Sequence, residues 1–346
     1  MNTKLSRRPM PEFHMPECGP DHPPGENCDS RLARVLASGE FAVTGELGPP
    51  KSADGNAIRS KAQHLKGFVD AANITDNQTA VVRMSSIAAG VILQQAGVEP
   101  VIQMTTRDRN RLAMQSDLLG AYALGARNLV CLSGDHQSGG NHPGAKNVHD
   151  LDSMQLIRMV RDIRDFRRFQ CGEEIRDEAP RFLIGAAANP FADPAEWRPY
   201  RLAKKALAGA DFVQTQLVYD LPRFREYMKR IVDMGVTDYL KVIVGVGPPK
   251  SPGMLRYMRE HVPGMSIPDE LMARMKGAAG GIDSADKAAR GHAWREEGIR
   301  ICVELIQQVR EVEGVAGVHI MGIEWEESIP PITTAAGLLP RPVMEL

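Results

Sequence analysis

No stretch of the 346-residue sequence approaches about 18 uninterrupted apolar residues, which excludes a membrane-spanning helix of ordinary length. The opening segment, MNTKLSRRPMPEFHMPECGP, has basic residues but no apolar run behind them, so no export signal is expected and a cytoplasmic location is. A surplus of charge is also missing: 42 basic and 43 acidic side chains leave a formal net charge of -1. Such a surface has no field with which to gather nucleic acid or anionic lipid, and a small molecule becomes the default partner. Cysteine is scarce as well. The five present, Cys18, Cys28, Cys131, Cys171 and Cys302, are an odd number in a chain without an export signal, which fits reduced thiols.

What is there describes an ordinary globular composition, with 43% hydrophobic and 25% charged residues and therefore material for a large core. Residues 1–35 are rich in Pro, Gly and polar residues and show no helical or strand period, so an extension that wraps over the body or stays mobile is expected. Cys18 and Cys28 lie in it with His14 and His22 close by. Their spacing matches no standard metal site, so surface thiols are expected and no metal ligand is assigned. Cys131 and Cys302 stand in apolar runs and are expected in the core.

From residue 40 onward, short apolar runs alternate with longer amphipathic stretches. The runs are FAVTGEL (41–47), AANIT (71–75), PVIQMT (100–105), NLVCLS (128–133), RFLIGAA (181–187), DFVQTQLV (211–218), YLKVIVGV (239–246) and GVHIMGI (317–323). Between them come helical spacings such as MQLIRMVRDIRDFRRF and LPRFREYMKRIVDMG. Eight strands, each followed by a helix or by the chain end, predict an α/β protein with a single (β/α)8 TIM barrel over residues 36–346, in preference to a doubly wound sheet. Residues 247–316 exceed one crossover and should hold two or three helices, with Ser266 as a candidate N-cap and Pro268 near a first turn.

Barrel enzymes build their sites at the carboxyl ends of the strands, so polar residues there are the first candidates. The first strand ends in GELGPPK and sets Glu46 in an apolar run, a setting that disfavours the charged form of a carboxylate and suits general acid work. A strand-end glutamate paired with a nearby Lys or Arg is the plainer alternative. The other ends offer Thr75, Asp76 and Asn77, then Gln103 and Thr105, then Ser133, Gly134 and Asp135. Gln214 and Gln216 stand two apart and so share a face. The loop GDHQSGGNHPGAKNVHD is long and Gly-rich enough to close over a ligand, but it matches neither a P-loop nor a G-x-G-x-x-G fingerprint. His136, His142 and His149 in that loop are irregularly spaced, and solvated histidines are expected.

These strand ends resemble the methylenetetrahydrofolate reductase family over roughly residues 38–325, through GELGPPK, NITDNQT, LSGD, an AxxGAD step before VQTQLVYD, and VGVGPPKS, in that order. The resemblance implies a barrel that holds FAD at its carboxyl face and reduces 5,10-methylenetetrahydrofolate to 5-methyltetrahydrofolate. It places Glu46 on the general acid that protonates N10 and opens the folate ring, and Asp135 on an aspartate near pterin and flavin. Gln216 matches a glutamine that contacts folate. Thr75 and Gly134 match flavin-binding positions, and Lys205 matches a basic residue near the flavin phosphates.

At other positions the chain departs from the family pattern. Gln103 stands where many members carry a flavin-contacting His, Ser133 where an Arg precedes Gly-Asp, Asn189 at a Tyr position and Asp193 at a His position. Trp325, Glu326 and Glu327 replace an Asn-Arg step that helps bind nicotinamide nucleotide. The flavin site is thus expected to be modified. Electrons are expected from NAD(P)H or, closer to this pattern, from a protein donor such as an iron–sulfur subunit, in a homo-oligomer or hetero-complex. Two rival readings are a pterin-binding methyltransferase barrel using Asp76, Asn77, Asp135 and Gln216, and a non-catalytic subunit of a redox complex.

Overall fold

The computed structural model describes Met15, Gly25 and residues 28–344; His14, Cys18 and His22 lie outside the described residues. Eight strands close into a parallel barrel in sequence order: β1 (Ala42–Leu47), β2 (Ala71–Ile74), β3 (Pro100–Thr105), β4 (Asn128–Leu132), β5 (Leu183–Ala188), β6 (Phe212–Leu217), β7 (Lys241–Val246) and β8 (Val315–Ile320). The helices are α1 (Arg31–Ala37), α2 (Gly55–Ala62), α3 (Ser86–Gln95), α4 (Arg111–Ala123), α5 (Ser153–Phe166), α6 (Arg198–Ala208), α7 (Leu221–Asp233), α8 (Pro252–His261), α9 (Asp269–Gly277), α10 (Lys287–Arg310) and α11 (Ile329–Ala335). The TIM-barrel expectation holds. Side chains between strands and surrounding helices form the main core, to which Cys131 and Cys302 both belong.

Most helices start where a short polar side chain accepts a backbone N–H, as Asp54, Ser85, Asn110, Asp220, Ser251 and Asp286 do. Asp152 and Gln155 form a reciprocal capping box at the start of α5. The 247–316 segment holds three helices, α8 to α10. Ser266 does not cap α9. Its hydroxyl instead donates to Asp220 at 2.6 Å, and Pro268 occupies the N-cap position.

The lower end of the barrel is closed by α1, which runs across the expected domain boundary at residues 35 and 36. Ser30 Oγ accepts from Ala33 N, and the Glu99 carboxylate accepts from Arg31 N at 2.7 Å and Leu32 N at 3.0 Å, so a negative group sits on the helix N-terminus. Leu32, Ala33, Val35 and Leu36 are buried against Ala42, Ala71, Val101, Leu183, Phe212 and Ile243 inside the barrel. Each large apolar side chain so buried contributes about 1.5–3 kcal/mol. Phe212 fills the space left by Gly185, where any Cβ would stand 2.3 Å from its ring.

Cys28 departs from the expectation of a surface thiol. It is half-buried at this lower end, its Sγ donates to Phe182 O at 3.1 Å, and burial pushes the thiol up to about 12. Beside it Asp211, the last residue of the AxxGAD step, accepts from Ile184 N at 2.7 Å and from Arg164 at 2.6 Å. That aspartate therefore ties β5 and α5 together below β6. The last strand begins and ends earlier than its apolar run suggests. Gly322 and the left-handed Ile323 (φ 48°) and Glu324 (φ 58°) turn the chain out of the sheet.

Candidate active site

Side chains alternate along each strand, and those pointing inward rise in three levels above α1. The lowest is the apolar layer just described. The middle is polar and buried: Thr44 of β1, Asn73 of β2, Gln214 of β6 and His319 of β8. Asn73 and Gln214 exchange amide hydrogen bonds at 2.6 and 3.0 Å, Gln214 Nε2 lies 3.2 Å from Thr44 Oγ1, and Thr44 Oγ1 lies 2.9 Å from His319 Nδ1. Above this layer opens a cavity of about 390 Å3 at the carboxyl ends of the strands.

Six of the residues singled out in the sequence line that cavity: Glu46, Gln103, Asn189, Lys205, Gln214 and Gln216. Gln214 and His319 form part of its floor, and Arg198 and Arg201 of α6 join Lys205 on one wall. Glu46 is nearly enclosed, with its side chain 13% exposed and Oε2 3.7 Å from His319 Nε2. Gln216 turns Oε1 back onto Leu217 N at 2.9 Å, so its NH2 end is the one that can reach a ligand. Lys205 is buried and donates to Ala187 O. Burial, reinforced by the positive charge of Arg201, lowers its ammonium from 10.5 to about 8. Asn189 Nδ2 donates to Pro263 O at 2.9 Å, which links the cavity rim to the α8–α9 connection, while its Oδ1 is buried without a partner.

Thr75, Ser133, Gly134 and Asp135 stand at the ends of β2 and β4 and do not line this cavity. Thr75 is buried and its Oγ1 has no partner. Ser133 and Asp135 are exposed; Asp135 Oδ2 accepts from Thr79 N at 3.1 Å, and its carbonyl accepts from Arg107 at 3.0 Å. Gly134 takes the left-handed conformation at φ 82°, which bends the chain sharply out of β4.

Asp76 and Asn77 are committed to the scaffold. Asp76 is buried and accepts from Thr105 N and Oγ1 at 2.9 and 3.0 Å and from Arg109 at 2.8 Å. Asn77 accepts from Arg83 N at 3.0 Å. A pterin-binding role for this pair finds no free group on Asp76. His136, His142 and His149 are all exposed. Asp193 is exposed too, and its carbonyl holds the guanidinium of Arg198.

The loop after β8 is fastened rather than open. Glu326 is buried and paired with Lys61 at 2.7 Å, Glu324 is paired with Arg83 at 3.1 Å, and Lys250 donates to Ile323 O. The sequence reading passed over Thr44, Asn73, His319, Arg198 and Arg201. A polar residue two positions below a polar strand end, as Thr44 is below Glu46, was the available signal for the interior layer.

A family model described as methylenetetrahydrofolate reductase matches residues 31–337. A protein of Caenorhabditis elegans named probable methylenetetrahydrofolate reductase (NADPH) is 24% identical over 323 residues, covering 89% of this chain and 44% of that protein. Methylenetetrahydrofolate reductase 2 of Schizosaccharomyces pombe is 26% identical over 332 residues, covering 90% of this chain and 47% of its own length. The chain thus spans a little under half the length of these curated relatives. Among solved structures, an uncharacterized protein from Clostridium thermocellum that binds two copies of 5-methyl-5,6,7,8-tetrahydrofolic acid shares the fold. Its TM-score is 0.58 at 15% identity, over 90% of this chain and 99% of that one.

Proposed function

Because the chain belongs to the methylenetetrahydrofolate reductase family, we propose that its barrel reduces 5,10-methylenetetrahydrofolate to 5-methyltetrahydrofolate, with FAD as the hydride source and Glu46 as general acid. One observation carries this reading: a single cavity holds the carboxyl group of Glu46 on β1 and, beyond β5 on the opposite side of the barrel, the cationic wall of Arg198, Arg201 and Lys205. A diphosphate-bearing cofactor and an acid-requiring substrate can share that space. The solved structure that binds 5-methyl-5,6,7,8-tetrahydrofolic acid has the same barrel fold, which makes a folate ligand a natural candidate here.

The residues present fit a flavin dinucleotide. The three cations suit its phosphates, and the unpartnered Asn189 Oδ1 is a buried polar atom on the lining that a ligand can satisfy. Binding an anion beside Lys205 would favour the charged ammonium that burial disfavours. When bound, FAD supplies hydride chemistry that no side chain offers. The chain's own part is acid catalysis and positioning. Protonated Glu46 gives its proton to N10 of the folate, the bond from N10 to the bridging methylene carbon breaks, and the ring opens to a cation. Gln216 holds the pterin through its NH2 group, and the exposed carboxylate of Asp135 at the end of β4 contributes negative charge toward that cation.

For the source of electrons, a protein donor, of the kind that carries iron–sulfur clusters, is favoured over direct use of NAD(P)H. Support comes from the β8 loop, where Glu324 and Glu326 are tied to Arg83 and Lys61 in ion pairs, so those two cations are already engaged and not offered to a nucleotide phosphate.

The test is the anaerobic absorbance spectrum of the purified chain, reconstituted with FAD where needed, as NADH, NADPH and 5-methyltetrahydrofolate are added in turn. Bleaching of the flavin band by methyltetrahydrofolate, with little or none by either nucleotide, is expected. A colourless protein that takes up no FAD would overturn the reading, and rapid bleaching by a nucleotide would overturn its electron-donor part.

A further inference from the structure

The polar layer beneath the cavity has a direction, and it ends at Glu46. Gln214 Nε2 points one hydrogen toward Asn73 Oδ1 at 3.0 Å and the other toward Thr44 Oγ1 at 3.2 Å, and it also lies 3.4 Å from His319 Nδ1. An amide NH2 accepts nothing. Thr44 Oγ1, already accepting from that amide, has its own hydrogen to give, and His319 Nδ1 is 2.9 Å away. With the Thr44 hydroxyl donating and the amide nitrogen unable to accept, Nδ1 is an acceptor, so the single proton of neutral His319 sits on Nε2. Nε2 faces Glu46 Oε2 at 3.7 Å. His319 is 3% exposed, and its ring meets side chains of β1 and β6, so this orientation is built into the barrel rather than chosen at the surface.

We infer that His319 is a positioning residue for the acid step, its Nε2–H directed at Glu46 Oε2 so that Oε1 carries the acidic proton into the cavity. This rests on the folate-reducing reading above. A gap of 3.7 Å is longer than a hydrogen bond, and contacts of this kind commonly tighten when substrate binds. As the O–H bond at Oε1 breaks and the N–H bond at N10 forms, the electron pair left on the carboxylate meets the imidazole N–H. No oxidant or reductant enters this step. Thr44, Gln214 and Asn73 fix the tautomer, and His319 touches neither substrate nor flavin in this scheme.

Two measurements test it. In the full chain labelled with 15N-histidine, the resonance pair absent from His319→Gln should show a protonated Nε2 and a bare Nδ1, whether or not cofactor is bound. The opposite tautomer overturns the inference. In steady-state folate reduction, His319→Leu should lower kcat about 10- to 100-fold with KM for the methylene folate little changed. His319→Gln, which keeps an N–H near the Nε2 position, should recover most of that loss. Equal turnover by wild type and His319→Leu, a loss confined to KM, or no recovery in His319→Gln would each overturn it. Should His319→Leu fail to fold, the tautomer and the His319→Gln rate still decide. A wild-type chain that binds FAD yet never turns over folate would instead sink the reading on which the inference rests.

Discussion

Asn73 on β2 and Gln214 on β6 face each other across the barrel, four strands apart in the closed sheet, and each amide donates to the other at 2.6 and 3.0 Å. Both side chains are buried, so removing either leaves the other with unmet donors and acceptors. Asn73→Leu and Gln214→Leu should each destabilise by about 1–3 kcal/mol, and the double variant by clearly less than the sum. Urea denaturation of the four proteins measures the coupling. Strict additivity would mean that the pair contributes nothing as a pair.

Glu46→Gln keeps the shape of the cavity and removes the transferable proton. The variant should bind FAD as the parent does and still accept electrons into it, while turnover of methylenetetrahydrofolate falls by about 100-fold or more. Stopped-flow absorbance separates the two half-reactions. Substantial folate turnover in the variant would remove Glu46 from its role as acid.

Lys205 makes a pH-dependent prediction. Its ammonium is lowered from 10.5 to about 8 chiefly by burial, so below pH 8 it is charged in the folded and unfolded chain alike and the full cost of burying charge is present. Between about 8 and 10.5 only the folded chain has released the proton, and stability contributed by this site rises with pH. The shift from 10.5 to about 8 corresponds to about 3 kcal/mol. Lys205→Met should therefore unfold at higher urea than the parent at pH 7, with the gap narrowing by pH 10. Its affinity for FAD should fall at pH 7, where the parent's ammonium is available to a phosphate.

Asp211 accepts from the backbone of β5 and from Arg164 in a nearly solvent-free setting below the barrel. Asp211→Ala leaves the buried Ile184 N–H unmet and takes from Arg164 one of two carboxylate partners, Asp165 staying at 2.7 Å, and should cost about 1–3 kcal/mol. The midpoint of thermal unfolding reports this, and a midpoint within a degree or two of the parent's would show that Arg164 finds other company.

Strand positions were readable because a parallel barrel strand is covered on both faces and appears as an uninterrupted apolar run. Glu46, Gln103 and Gln216 stood out for the same reason, as polar residues at the ends of such runs. α1 did not. Its seven residues are too few to show a period, and part of its cap is Glu99, which lies 68 positions from Arg31 in sequence. The interior polar layer was hidden because one polar residue inside a strand, such as His319, carries no sign of which partners other strands bring to it. Asp76 illustrates the reverse case. It looked like a ligand-binding carboxylate at a strand end, and only the fold brings Arg109 and Thr105 onto it.

The seal that α1 places on the lower end makes the cavity a well that opens, among the described residues, at the carboxyl ends of the strands. Whatever leaves must pass out where the next molecule comes in, so reactants that need the same face of a bound ring have to queue. In the proposed reaction a large excess of either one should then slow the other, and substrate inhibition is the expected kinetic mark of a barrel sealed at its lower end.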